Sequence, residues 1–228
     1  MKFPVSDEVV QMAVGGLLGD SHIRKKSWVN QEGRKLEGNA HIMIAHGENQ
    51  VEYLKWKMSL LGDLWNGTIR ERNGKWGTTY AAESKSSNKL NPFYELIGKP
   101  KRVTRKLLNL LSPLGLAIWY MDDGTLMIEY HKRLDGTYAI KRRRIALCTD
   151  CFSLEEHYIM QRYFKVVWDI DVSIFKIAGK HRLSMNYTEA KKFVEIVKDH
   201  IHPSLLYKID FNRERDYRNA LPPQVNEE

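Results

Sequence analysis

Hydrophobic residues follow two periods along this chain, and the order in which the periods occur is repeated. The runs inside AVGGLLGDS (Ala13–Ser21) and LGLAIWYMDDG (Leu114–Gly124) are apolar on nearly every side and too short to cross a membrane, so both read as buried helices. Each has a start signal before it: Ser6 with Asp7 and Glu8 in the first turn, and Ser112-Pro113, a serine cap with proline at the first helical position. Each stops at a turn on a carboxylate, Asp20 or Asp123. After the first helix, His22–Gly38 is polar and basic and reads as a strand and a long loop, whereas Asn39–His46 alternates as a half-buried strand does. Helical spacing returns over Glu48–Leu61, a hairpin of Thr68–Arg72 and Gly77–Ala82 turns at Asn73-Gly74, and Asn91–Gly98 forms a short helix. Gly98–Lys106 is a basic connector. The second helix is followed by a hairpin around Leu134-Asp135-Gly136 and a helix over Ser153–Trp168, opened by a Ser153/Glu156 capping box. A hairpin of Asp171–Ala178 and Arg182–Asn186, turning at Gly179-Lys180, and a helix over Thr188–Ile201 complete the order. The pattern therefore predicts an α+β protein of two pseudo-symmetric αββαββα repeats with antiparallel sheets, residues 1–106 and 107–228.

Two details give the repeat a chemical meaning. Gly15 and Gly19 are four apart, so they share a helix face, and each costs roughly 1 kcal/mol of helix propensity. Close approach of another backbone explains them. If the two duplicated helices pack side by side, Asp20 and Asp123 meet and can hold metal.

Composition narrows the partner. The 228 residues carry 36 Lys and Arg against 28 Asp and Glu, a net charge of +8, which suits a polyanion. No apolar run is long enough for a membrane span, and the start shows no basic-then-apolar signal pattern. A non-secreted, intracellular protein is expected, in cytoplasm, nucleoid or an organelle matrix. Cys148 and Cys151 have C-x-x-C spacing but no second ligand pair, so they are read as buried thiols in a reducing compartment. H-E-x-x-H, a nucleotide-binding glycine loop and a Ser or Cys triad signature are all missing.

The two helices resemble the motifs of the LAGLIDADG homing endonucleases, in the single-chain type with two motifs. Gly15-Gly16-Leu17-Leu18-Gly19-Asp20 matches the end of the first motif and Trp119-Tyr120-Met121-Asp122-Asp123-Gly124 a divergent second. Ile118 and Asp122 stand where the family has small residues, and the register favours Asp123 over Asp122 as the ligand. The resemblance implies helices joined at a two-helix interface, with Asp20 and Asp123 binding Mg²⁺ and the carbonyls of Gly19 and Asp122 as further ligands. Mn²⁺ is the expected substitute. It also implies a lysine near each acid: Lys208 in the second repeat, and Lys101 in the first, with Lys99 and Lys106 as alternatives.

The same resemblance implies a monomer that cuts both strands of duplex DNA at a long asymmetric site. An intron RNA maturase or a non-cleaving binder is the alternative. DNA readout would fall on one face of the strands, since a two-stranded ribbon fits the major groove. The candidates on that face are Arg70, Arg72 and Lys75, with Trp76 near the hairpin turn, and in the second repeat Arg142, Arg144, Lys176, Lys180 and Arg182; the loop Arg24–Lys35 adds Arg24, Lys25, Lys26, Arg34 and Lys35. The other tryptophans, Trp28, Trp56, Trp65, Trp119 and Trp168, are assigned to the core.

Overall fold

The computed structural model describes residues 3–213 apart from Trp76 and Lys99. Helix α1 (Asp7–Leu18) leads into strands β1 (His22–Val29) and β2 (Lys35–Gly47), helix α2 (Val51–Ser59), strands β3 (Ile69–Gly74) and β4 (Gly77–Glu83) and helix α3 (Asn91–Ile97). After a single turn, α4 (Arg105–Leu108), the order recurs. Helix α5 (Pro113–Asp123) is followed by β5 (Gly124–Lys132), β6 (Tyr138–Leu147), α6 (Leu154–Trp168), β7 (Ser173–Ile177), β8 (Lys180–Met185) and α7 (Tyr187–Val197). Each repeat holds one antiparallel four-stranded sheet, in the order β1-β2-β4-β3 or β5-β6-β8-β7. This is the expected α+β architecture. One continuous apolar core runs through both repeats, from Met12, Leu17 and Leu18 of α1 to Trp119 of α5, Phe164 of α6 and Phe193 of α7.

Several boundaries differ from the sequence reading, each for a local reason. The expected long loop after β1 is a tight turn, because Asn30 Oδ1 accepts the N–H groups of Glu32 and Arg34 and lets β1 pair with β2 from Val29↔Lys35 onward. Both arms of that ribbon extend past the core with polar residues on each face, so no alternation marks them as strands. The β7–β8 turn falls at Ala178-Gly179, where both φ angles are positive as a type I′ turn requires, one residue earlier than expected. Asn186, whose Oδ1 accepts from Thr188 and Glu189 N–H, starts α7 ahead of Thr188. The capping box of α6 is present as read. Two assignments need correction: Trp28 is 51% exposed rather than core, and Cys151 is exposed with Cys148 half-buried, so the thiols are not sequestered.

Helices α1 and α5 pack against each other at Gly15. A methyl group there would collide with the carbonyl oxygen of Gly115, so this glycine does face another backbone. Gly19 faces a side chain instead, that of Asp122. The Ser112 hydroxyl makes no cap bond, contrary to its reading as a capping serine. Gln11 of α1 holds this end, its Nε2 donating to the Leu110 carbonyl at 2.9 Å and its Oε1 accepting from Ser112 N–H at 2.8 Å. Gly15→Ala should therefore destabilise the fold by about 1–3 kcal/mol in urea unfolding despite its better helix propensity, whereas Gly16→Ala meets only side chains that can shift and should cost less.

Candidate metal centre and nucleic-acid interface

The ends of α1 and α5 come together, and the contact is specific. The backbone N–H of Asp20 donates to Asp122 Oδ2 at 3.1 Å, although 102 residues separate the two. Burial raises the pKa of the Asp20 carboxyl, and Asp122 adds to the rise. Burial likewise pushes Asp123 up to about 7, with Asp20 and then Asp122 contributing and Lys101 opposing. Asp123 thus feels the charge of Asp20, while Asp20 feels that of Asp122. Since the folded-state pKa of Asp123 exceeds the ordinary carboxylate value, its protonated form stabilises the fold at low pH, and that stability is lost as pH rises through about 7. Urea titrations of metal-free protein should show a decline between roughly pH 4 and 7 that is shallower in Asp123→Asn.

Asp122 plays a different part from its neighbour. Its side chain has no exposed surface, and it accepts from Lys57 Nζ at 2.5 Å and from the Tyr53 hydroxyl at 2.8 Å. Lys57 is itself fully buried. Both partners come from α2 of the first repeat, so a buried ion pair crosses between repeats at the place where α1 carries Gly19.

The lysines stand in matching positions. Lys101 Nζ donates to the carbonyls of Leu18 and Gly19 at 3.3 and 3.0 Å. Lys208 Nζ donates to those of Met121 and Gly124 at 2.5 and 2.9 Å. Burial lowers the pKa of each, against the pull of the surrounding acids. An ammonium has three N–H groups, so each keeps one for another acceptor. The connector is held in turn by Glu156 of the α6 capping box, whose Oε1 accepts from Val103 N–H at 2.6 Å. Lys106 is exposed and Lys99 lies outside the described residues.

His46 is the residue that the sequence reading passed over. It ends the alternating run of β2 on the same face as Ile42 and Ile44, and its side chain is 3% exposed. Burial brings its pKa down to about 4, so the ring is neutral at neutral pH. Asp20, His46 and Asp122 each offer a ligand atom within 4.8 Å of the others. A carboxylate at each helix end, backbone carbonyls beside them and a neutral imidazole make a donor set that suits a divalent ion.

The basic residues divide by sheet register. Apolar Ile42 and Ile44 face the helices, so pairing places Arg24, Arg70 and Arg72 on the other face of the first sheet. Ile145, Leu147, Leu183 and Met185 set the same rule for the second sheet, which puts Arg142, Arg144, Lys180 and Arg182 outward. Arg182 is held by Asp150 through two bonds of 2.6 and 2.7 Å, and Arg144 lies 3.4 Å from Glu129. Lys26, Arg34, Lys35 and Lys75 are exposed along the ribbon edges and turns. Lys176 corrects the single-face reading, and Lys25 lies in a strand rather than a loop. Lys25 turns to the helix side, 4.9 Å over the Tyr94 ring, and Lys176 pairs with His181 on the core-side register. Trp76 lies outside the described residues.

Residues 10–193 match the model of the LAGLIDADG DNA endonuclease family. The chain belongs to that family. Among its relatives, the RecA protein of Mycolicibacterium flavescens is 28% identical over 207 residues, which are 90% of this chain and 47% of that protein. The chain thus spans about half the length of the RecA proteins it matches. A probable intron-encoded endonuclease of Wickerhamomyces canadensis is 24% identical, with 87% of this chain and 82% of the relative covered. The solved structure of the homing endonuclease I-WcaI, bound to its DNA recognition sequence, superposes with a TM-score of 0.75 at 20% identity, covering 91% of this chain and 88% of that one. The LAGLIDADG fold is therefore shared across nearly the whole chain. Within it, Lys57 supplies the counter-charge that the buried Asp122 needs. No helix among the described residues is long and apolar enough to cross a membrane.

Proposed function

We propose that this LAGLIDADG chain is a monomeric, site-specific DNA endonuclease that hydrolyses both strands of a long asymmetric site with Mg²⁺, or Mn²⁺ in its place. The observation that carries the reading is the meeting of two acid-bearing helix ends between two sheets with basic outer faces. Asp20 and Asp123 would hold the metal, together with the carbonyls of Gly19 and Asp122. A divalent ion bound there activates water and offsets charge on the scissile phosphate. Lys101 and Lys208 order the helix ends and direct their remaining N–H groups at phosphate. The outward arginines provide groove readout, and the exposed lysines of the ribbons add salt-dependent phosphate contacts. Residues 1–106 and 107–228 would each take one half-site, and because their side chains differ the halves of the site differ too. The protein would act wherever its host keeps the target DNA, inside the cell.

Incubation with a random duplex library and Mg²⁺, followed by sequencing of the cut ends, tests this. A single enriched long site cut in both strands supports it, and uncut DNA across pH and metal opposes it. A cytochrome b mRNA maturase of Debaryomyces hansenii is 25% identical over 90% of this chain and 75% of that protein, which favours intron RNA as the second substrate class. Accelerated splicing of an intron RNA by protein that leaves the DNA library uncut would establish that reading instead.

A further inference from the structure

We infer that Asp20, His46 and Asp122 form a nitrogen-containing metal site confined to the first repeat, one that takes a transition ion such as Mn²⁺ in preference to Mg²⁺. The inference rests on the endonuclease reading for its purpose but on separate observations for its geometry. His46 Nε2 is buried and has no hydrogen-bond partner among the described residues, although the ring is also bonded by the Gln50 side chain, and the side chain as a whole is 3% exposed. A buried polar atom left without a partner is costly, so its presence calls for an occupant. The two ring nitrogens stand 3.7 Å from Asp20 Oδ2 and 3.9 Å from Asp122 Oδ1, too far for hydrogen bonds. An imidazole ligates an ion through one nitrogen, and one such nitrogen with one oxygen from each acid lie within 4.8 Å of one another, near the roughly 4 Å that separates opposite ligands on one ion. Asp122 Oδ1 accepts from Tyr53 but has a second lone pair, so it can still serve.

Among the described residues the second repeat has no equivalent. His22 pairs with Met43 and Thr125 with Ala146, each two residues past its motif acid, so the registers correspond. Three residues further on stand His46 and Thr149. The Thr149 hydroxyl is tied to His157 Nε2 at 2.8 Å, and His157 is also bonded to the carbonyls of Ser153 and His181. An imidazole on one side and a committed hydroxyl on the other make the two centres chemically unlike. Imidazole suits transition ions, whereas Mg²⁺ favours oxygen and retained waters. The ion pair with Lys57 offsets the Asp122 charge, which keeps affinity for the free ion modest until phosphate oxygens join.

Electron paramagnetic resonance of the full chain with Mn²⁺ alone tests the site. Pulsed spectra of protein carrying ¹⁵N-histidine should show one imidazole nitrogen coupled to bound Mn²⁺. His46→Gln and His46→Ala should remove that coupling and raise the Mn²⁺ dissociation constant at least ~10-fold, with the Mg²⁺ constant changed less than about threefold. Bound Mn²⁺ without nitrogen coupling in the unmodified protein overturns the inference, whether or not the variants fold. If such protein still cuts library DNA, the endonuclease reading survives alone. Nitrogen coupling in a protein that cuts no DNA would leave the metal site standing and remove the endonuclease reading.

Discussion

Asp20→Asn and Asp123→Asn should each lower single-turnover DNA cleavage by at least ~10³-fold while leaving DNA affinity within a few-fold. The expectation follows from charge. Each substitution keeps the side-chain shape but removes the anion that a divalent ion needs, and most of the barrier reduction in phosphodiester hydrolysis depends on that ion. Neither acid belongs to the outer sheet faces where the basic residues lie, so the groove contacts are untouched. Gel-shift affinity and cleavage on the library-selected site separate the two effects. Both variants cutting both strands at the rate of the unmodified protein would remove these acids from the centre. Loss of binding in step with cleavage would show that they act through the fold.

Lys57→Met should destabilise the protein by about 3–5 kcal/mol, the second large effect, because it strands the Asp122 carboxylate in a site with no exposed surface. The partner change Asp122→Ala should also be costly, since it strands the Lys57 ammonium. The double variant should recover most of the loss, as replacing both members of a buried pair by apolar groups is often close to neutral. Met160 supports the choice of methionine: it lies on the buried face of α6, the helix that corresponds to α2. Urea midpoints at constant slope give the comparison, and a fully additive double variant would show that the pair is not coupled.

Much of this arrangement can be read from residues alone, and what cannot has a physical reason. Helices α1 and α5 are legible because burial on all sides leaves an apolar run with cap signals, and because the run occurs twice. Asp20 and Asp123 follow from their places at the ends of those runs. The β1–β2 ribbon is not legible as paired strands because it stands clear of the core, where nothing imposes alternation on Lys25–Lys35. Lys57 did leave a signal: it occupies the apolar stripe of α2 beside Leu54, Met58 and Leu61, where an ammonium must have a partner. Asp122, the surplus acid of the second motif, is that partner, but only the packed helices show it. His46 likewise shares the parity of Ile42 and Ile44, so its burial is in the pattern, while the acids that face it come from two distant helix ends. Lys25 and Lys176 show the opposite limit: each lies two residues from a position paired with the core, Ile23 opposite Ile42 and Ile174 opposite Leu183, so alternation turns both to the core side.

The ion pair between α2 and α5 also decides which assemblies the sequence forbids. Two copies of the first repeat, brought together as a symmetric dimer, would bury two ammonium groups with no anion for either, and two copies of the second would bury two carboxylates with no cation. Self-association of either repeat is thus penalised at the very contact that joins them, so the pair acts as a lock that only a change of both residues together could open.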